Sequence, residues 1–163
     1  MAIDSFMKFG ELKGESVVKG YEDHIQILAW SWGLSQSGTA HIGSGAGAGK
    51  VNVQDLSFTH YVDSSTPALI QACCKGTHYP KATLSMRKAG GDTALEYIKI
   101  EFEDLMITSV STGGSSGEDL LTENVVFSFA KFKFTYQPQD NKGAKKGGAI
   151  SAGWDIQKGI VVA

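Results

Sequence analysis

Six segments rich in β-branched and aromatic residues recur along the chain, separated by glycine-rich or polar stretches. They are residues 24–32, 51–62, 82–88, 95–102, 105–111 and 124–136. This pattern is typical of an all-β protein, because such side chains favour the extended and half-buried strands of a sheet. The sequence therefore predicts a mainly β fold.

Two of these segments change the side of the strand on which their apolar residues lie. In the second segment the apolar residues stand at odd-numbered positions up to Val53 and at even-numbered positions from Leu56 onward. In the last segment the same change falls between Phe129 and Phe132. A bulge or sharp bend at each change keeps the apolar side chains inward, and such bends suit a small closed barrel or a tight sandwich.

Residues 64–76 are predicted to form a helix. Ser65 or Thr66 can act as the N-cap, and Pro67 suits the first turn. Gly76 is a typical stop. Four residues at helical spacing are expected to form the stripe that packs on the strands: Leu69, Ile70, Cys73 and Cys74. This placement accounts for the adjacent cysteines as small apolar residues rather than a redox pair or metal ligands.

Length, composition and charge exclude several classes of protein. A chain of 163 residues with 42% hydrophobic residues fits one domain, spanning residues 1–163, with a sizeable core. The net charge of −2, with both signs scattered, argues against nucleic acid as a partner. No apolar run is long enough to span a membrane, and the first ten residues do not resemble a secretory signal. We expect synthesis and folding in the cytoplasm.

The stretch HIGSGAGAGK at residues 41–50 raises the alternative of a nucleotide-binding module. Ser44 and Val51 stand where a P-loop needs glycine and a hydroxyl residue. Gly43, Gly45 and Ala48 satisfy a loose dinucleotide fingerprint, but a strand pattern follows where that motif needs a helix. The stretch is more consistent with a long arm between two strands, in which glycine permits close approach to a neighbouring subunit.

No set of residues suggests a catalytic or metal site, and we expect no enzyme activity, no cofactor and no bound metal. Ser85 and Lys88 have the spacing of a Ser-x-x-Lys nucleophile but lie in a strand pattern. Glu118 and Asp119 are more consistent with a solvated turn than with an acid–base pair. The four histidines, at positions 24, 41, 60 and 78, show no metal spacing and are interpreted as surface or strand residues.

The three tryptophans raise a second alternative, a β-sandwich module that binds sugars. Trp30 and Trp32 share one face of a strand with Leu28, which favours a place in the core. The opposite face carries Ile25, Ile27, Ala29 and Ser31. A strand that is apolar on both faces is expected to be buried on both sides, within the fold or at a subunit interface.

Long stretches of the chain resemble the haemolysin-coregulated protein (Hcp) family of the type VI secretion system. These are LAWSWGLSQSG (28–38), GAGKVNVQDLSFTHYVDSSTPAL (47–69), YPKATLSMRKAGG (79–91) and SVSTGGSSGEDLLTENVVFSFAKFKFTYQPQ (109–139). Shorter blocks, FGELKGES at 9–16 and GWDIQ at 153–157, extend the likeness over nearly the whole chain.

The resemblance implies a small closed β-barrel of two packed sheets, with one flanking α-helix and a long extended loop. It also implies the tube subunit of the type VI system. Such subunits form homohexameric rings that stack into a hollow tube, capped by a VgrG spike and surrounded by a contractile sheath. Some of them carry small effector proteins in the lumen of the ring. The chain is then secreted from the cytoplasm by this system, without a signal peptide.

Two groups of residues are candidate sites within such a ring. We expect residues 36–50 to reach an adjacent subunit, within a ring or between stacked rings. The members of this arm singled out are Gln36, His41, Gly43, Gly45, Gly47, Gly49 and Lys50. Ala29 and Ser31 are candidates for the wall of the lumen, because small residues suit a smooth channel.

Overall fold

The computed structural model describes residues 3–38, 49–88 and 94–162, and contains twelve strands and one helix in these ranges. In chain order they are β1 (Ile3–Phe9), β2 (Ile25–Ile27), β3 (Ala29–Ser31), β4 (Leu34–Ser35), β5 (Asn52–Val53), β6 (Leu56–Tyr61), α1 (Thr66–Lys75), β7 (His78–Lys88), β8 (Glu96–Thr112), β9 (Thr122–Ser128), β10 (Lys131–Tyr136), β11 (Ile150–Asp155) and β12 (Ile160–Val161). The predicted mainly β class with one flanking helix is confirmed.

Ten of the strands form one antiparallel sheet that divides along β8. On one side β8 pairs with β7, which leads through β1 to β2. On the other side the first half of β8 pairs with β10, which leads through β11 to β12. Its second half pairs with β9, which leads through β6 to β3. The sequence pattern had suggested two strands over 95–111, whereas the structure has a single strand of 17 residues.

The two branches of the sheet meet in residues 25–31, where β2 pairs with β1 and β3 pairs with β6. Between them the Leu28 amide donates to the carbonyl of Thr59 at 2.8 Å. The prediction of two sheets is confirmed, but the prediction that they close into a barrel is wrong. The described strands form the coiled ten-stranded sheet and a separate two-stranded ribbon of β4 and β5, without a continuous closed ladder.

The change of partner at Leu28 also corrects the prediction of a strand buried on both sides. Ile25 and Ile27 face the core, but Leu28 is 47% exposed. Beyond it Trp30 and Trp32 are half-buried and pack against the core. Odd-numbered residues therefore point inward before Leu28, and even-numbered residues point inward after it. The reason is that β2 pairs with β1 whereas β3 pairs with β6, and each of these two short strands has a single buried face.

The phase changes predicted from the sequence are confirmed as breaks between strands. The first lies at Gln54–Asp55, between β5 and β6, and the second at Phe129–Ala130, between β9 and β10. β8 changes its inward face at the same level of the sheet, between buried Phe102 and buried Leu105. These changes place a corner across neighbouring strands, so that the sheet bends around its core.

The helix has the predicted start and stop but a different buried face. Ser65 is the N-cap, and Gly76 ends the helix with φ of 64°. The fully buried residues are Thr66, Leu69 and Ala72, while Cys73 packs partly against the core. Ile70 is 40% exposed and Cys74 is exposed, so the predicted stripe was wrong for these two residues. Both cysteines are free thiols.

The core is built around aromatic side chains from several strands. Phe9, Phe58, Phe102 and Phe127 are all essentially inaccessible to solvent. The ring of Phe127 meets the edges of Phe9 and Phe102 at centroid distances of 5.2 Å. Edge-to-face pairs of this kind add about 1 kcal/mol each beyond the burial of apolar area, so the interior stabilises one specific packing.

Candidate functional site

The base of the predicted arm is the ribbon formed by β4 and β5, in which Leu34 pairs with Val53. Gln36, Gly49 and Lys50 are exposed beyond this ribbon. The Gly49 amide donates to the Ser37 carbonyl at 3.4 Å, and a Cβ on Gly49 would clash with Ser37 Oγ. Four other residues assigned to the arm lie outside the described residues: His41, Gly43, Gly45 and Gly47.

A strand, and not a helix, follows the glycine-rich stretch. β5 begins at Asn52, three residues after Gly49. A dinucleotide fingerprint works by placing the pyrophosphate at the N-terminus of the helix that it opens. The nucleotide-binding alternative is therefore not favoured.

The two predicted lumen residues lie on an exposed sheet surface made of small side chains. We define the small-residue face as Ala29, Ser31, Ser57, Thr59, Asn124 and Val126, which are opposite one another on β3, β6 and β9. Ala29 and Ser31 are exposed, and Ser57 Oγ donates to Asn124 Oδ1 at 2.9 Å. The six residues include no charged side chain and are weakly polar. The exposed carboxylate of Asp55 borders the face, where it accepts a hydrogen bond from Thr108 Oγ1 at 3.2 Å.

The rings of Trp30 and Trp32 are not free to stack on a sugar. Trp32 is half-buried, with its ring centroid 4.8 Å from that of Phe132 and 6.3 Å from that of Phe102. Trp30 is also half-buried and lies opposite Phe58 in the pairing of β3 with β6. Both rings are thus part of the packing of the fold, as their shared parity predicted, and the sugar-binding alternative is not favoured.

A buried polar cluster connects β6, β9 and the start of α1. We define the His60 cluster as His60, Asp63, Thr66 and Glu123. His60 Nε2 is 2.7 Å from Glu123 Oε1, and both side chains are fully buried. Thr66 Oγ1 donates to the same carboxylate oxygen at 2.8 Å, and His60 Nδ1 is 3.7 Å from Asp63 Oδ2. The cluster therefore ties the helix N-terminus to two strands.

Asp63 is the member of the His60 cluster whose acidity is perturbed. Partial burial raises its pKa, but the nearby His60 and the hydrogen bonds from Ser65 outweigh burial and bring the pKa below its ordinary value. The Ser65 amide donates to Asp63 Oδ1 at 2.8 Å, and the Ser65 hydroxyl donates to the same atom. His60 has no exposed surface, and the contacts of this arrangement stabilise the junction of β6, β9 and α1.

Sequence reasoning missed the His60 cluster. His60 was interpreted as a surface or strand residue, although it follows Leu56 and Phe58 on the inward parity. Glu123 stands on the inward parity of Val125 and Phe127. Two ionisable residues at positions that the strand pattern directs into the core could have predicted this contact, since buried charges require partners.

Three neighbouring strands of the main sheet, β7, β8 and β10, carry a row of oppositely charged side chains. Lys81 Nζ and Lys99 Nζ lie 3.2 and 3.5 Å from Glu101 Oε1. Partial burial raises the pKa of Glu101, but the two ammonium groups outweigh it and hold the pKa below its ordinary value. Lys131 pairs with Glu103 at 3.0 Å, and this contact raises the pKa of Lys131. These partly exposed pairs compensate most of one another's charge.

Comparisons with known proteins identify the family. The profile of the family described as "Type VI secretion system effector, Hcp" matches residues 6–136. The chain belongs to the Hcp family. Hcp chains are tube subunits of the type VI secretion system, and the resemblance stated from the sequence is thereby confirmed.

Individual Hcp relatives match this chain over almost its full length. Protein hcp1 of Pseudomonas aeruginosa is 56% identical over 160 residues, which is 98% of this chain and 99% of that protein. The crystal structure of Hcp1 from Salmonella typhimurium is 39% identical, with a TM-score of 0.82 over 99% of this chain and 100% of that one. A solved type six secretion system protein is 26% identical, with a TM-score of 0.92 over the same shares.

Within residues 3–38, 49–88 and 94–162, no helix has both the length and the apolar character needed to cross a membrane. The same part of the chain holds no group of three or more histidine, cysteine or carboxylate side chains suited to a metal ion.

Proposed function

We propose that this Hcp chain forms homohexameric rings, and that the rings stack into the tube of a type VI secretion system. In this proposal a VgrG spike caps the tube, a contractile sheath surrounds it, and small effector proteins bind inside the rings. The chain acts as a structural carrier and not as an enzyme. It is made in the cytoplasm and leaves the cell with the tube. The full-length similarity to Hcp proteins carries this proposal.

The small-residue face supports the assignment of the lumen. A channel wall that carries different proteins benefits from short side chains and from the absence of fixed charge, which would favour some cargoes and repel others. Ala29 and Ser31 are at the centre of this proposal because both are exposed on β3. The neighbouring strands add hydroxyl and amide groups that can donate or accept hydrogen bonds.

The exposed ribbon supports the assignment of the arm to a subunit contact. Gln36, Gly49 and Lys50 extend from a two-stranded ribbon that is separate from the main sheet. A segment that makes few contacts within its own subunit is available to another subunit. In this proposal the arm contacts an adjacent subunit of the same ring or of the next ring.

The mass of the purified chain in solution tests ring formation. Light scattering coupled to size exclusion is expected to give a species near six times the chain mass of 17.4 kDa. A monomer over the whole accessible concentration range contradicts ring formation by this chain alone.

The lumen assignment is tested by adding bulk on the small-residue face. In Ser31→Trp, rings are expected to form as in the wild type but to retain less of a co-purifying small effector protein. The matched control is Ser151→Trp on β11, at an exposed position outside the small-residue face. Equal retention by Ser31→Trp and the wild type contradicts the assignment.

A further inference from the structure

An apolar groove lies between the β4–β5 ribbon and the end of β11. It has a volume of about 750 Å³. Leu34 and Val53 line it from the ribbon, and Phe132 and Trp154 line it from β10 and β11. Lys50 and Lys158 also line it, and the described lining residues include no carboxylate. An apolar floor with charges of one sign suits an apolar segment that carries acidic groups.

This chain has a segment of that chemistry between β8 and β9. We define the acidic loop as residues 118–121, Glu118-Asp119-Leu120-Leu121, all of which are exposed. Leu120 is 61% exposed and Leu121 is 45% exposed. The Leu121 carbonyl accepts a hydrogen bond from the Val62 amide at 2.9 Å. The backbone is therefore anchored. Leu121 packs against Gly114, and Leu120 borders a small pocket beside Tyr61, but both leucines and both carboxylates keep exposed surface that a second molecule can contact.

The acidic loop cannot fill the groove of its own subunit. Val53 lies in the groove, and Val62 holds the loop at the other end of β6. β6 (Leu56–Tyr61) lies between these two positions, and its six extended residues, at roughly 3.3 Å each, place them about 20 Å apart. The loop is also tied to β9, which runs beside β6. Its complementary groove must therefore belong to another molecule.

We propose that the acidic loop of one subunit docks in the groove of a second copy of this chain. Leu120 contacts the apolar floor, and Glu118 and Asp119 face Lys50 and Lys158. The contact joins two different surfaces, so each subunit offers one loop and one groove, and repetition either closes a ring or extends a stack. This inference rests on the proposed self-assembly and specifies one of its interfaces.

Two charge-reversed variants test the contact. The groove variant is Lys50→Glu/Lys158→Glu, and the loop variant is Glu118→Lys/Asp119→Lys. Each variant alone places like charges together at every contact. We therefore expect the protein concentration at which half of the chains are assembled, measured by light scattering, to rise about tenfold or more. In an equimolar mixture, alternating subunits restore opposite charges at every contact. We therefore expect the mixture to assemble near the wild-type concentration.

The controls separate the contact from unrelated charge effects. Glu11→Lys and Lys142→Glu change exposed charges outside the acidic loop and the groove lining, and are expected to assemble like the wild type. Circular dichroism checks that every variant is folded. Leu120→Ser removes the apolar contact without a change of charge, and is expected to weaken assembly while the monomer stays folded.

Each outcome decides between the inference and the proposed function. Restored assembly in the mixture supports the docking contact. If the wild type assembles but both charge variants assemble equally well, the docking contact is wrong and ring formation stands. If both variants fail and the mixture also fails, the two charge sets do not meet, and the contact is again wrong. A wild type that stays monomeric overturns self-assembly and the contact together.

Discussion

At the scale of single residues, the His60 cluster is a part of the interior that is costly to disturb. Its histidine and glutamate have no exposed surface, so neither can replace a lost partner with water. Breaking a buried pair by removal of one member leaves a polar group without compensation, which is strongly destabilising. The cluster also connects Thr66, in the first turn of α1, to Glu123 on β9.

Glu123→Ala is expected to lower the free energy of unfolding by about 3 kcal/mol or more. The cause is the loss of the acceptor for both His60 and Thr66. Urea denaturation followed by circular dichroism measures the change. The matched control is Glu11→Ala at an exposed position outside the proposed contacts, where the change is expected to stay within about 0.5 kcal/mol. Equal stability of the two variants would show that the cluster contributes little.

Asp63 makes part of this stability dependent on pH. Its folded-state pKa lies below the ordinary value of 3.8, so the charged form is favoured by folding. The contribution is therefore complete above about pH 4 to 5 and is lost as the pH falls through the folded-state pKa. Asp63→Asn keeps an oxygen acceptor for Ser65 but removes the charge beside His60.

We expect Asp63→Asn to lower the Tm at pH 7, and the difference from the wild type to shrink as the pH falls below 3.8. Differential scanning calorimetry from pH 7 to pH 3 measures both curves. Glu11→Gln, at an exposed position outside the proposed contacts, is the control and is expected to follow the wild-type curve. A difference between Asp63→Asn and the wild type that stays constant with pH contradicts the role of the charge.

At the scale of elements, the corner in the main sheet depends on one unusual backbone position. Asp104 lies in β8 with φ of 55°, between the inward residues Phe102 and Leu105. Positive φ lets the strand change its inward face without a break in the pairing of β7 with β8. Tyr79 and Lys81 of β7 lie opposite Leu105 and Glu103, on either side of this position.

Substitutions at Asp104 are expected to rank by how easily they adopt positive φ. Asp104→Gly is expected to match or exceed the wild-type free energy of unfolding, because glycine has no Cβ to strain. Asp104→Val is expected to lose about 1–2 kcal/mol. Ser111→Val, at an exposed position of the same strand without positive φ, is the control for adding a β-branched residue. Urea denaturation measures all three, and equal stability of the Gly and Val variants would refute this account of the corner.

At the scale of the whole molecule, the structure separates a folding core from the segments proposed for assembly. The core lies between the branches of the main sheet and is closed on one side by α1. The β4–β5 ribbon and the acidic loop are both exposed, at opposite ends of β6. Contacts at two distant ends allow subunits to associate head to tail without disturbing the core.

Deletion of residues 43–48 is therefore expected to weaken assembly but to leave the subunit folded. Shortening a connection between two strands changes its loop-closure entropy only slightly, so the Tm of the monomer is expected to move by only a few degrees. Light scattering measures assembly and circular dichroism measures the Tm. A same-length replacement of these residues by alternating glycine and serine is the control for chain length. An ordinary ring mass in the deletion variant would mean that the arm is dispensable.

The amino-acid sequence by itself determined the class of fold and the positions of most elements. Alternation of apolar residues identified the strands, and the shift in parity after Val53 and Phe129 identified two breaks. Ser65 and Gly76 identified both ends of the helix. These signals are local, because side-chain direction and capping depend on residues only a few positions apart.

Only the tertiary structure decided which elements meet. It showed that one short stretch changes partner at Leu28, and that a 17-residue strand divides the sheet. It brought His60 to Glu123, 63 positions away, and it placed an apolar groove and an acidic loop at opposite ends of one strand. The physical reason is that these contacts join residues distant in sequence, and strand periodicity specifies a buried face but not the partner that covers it.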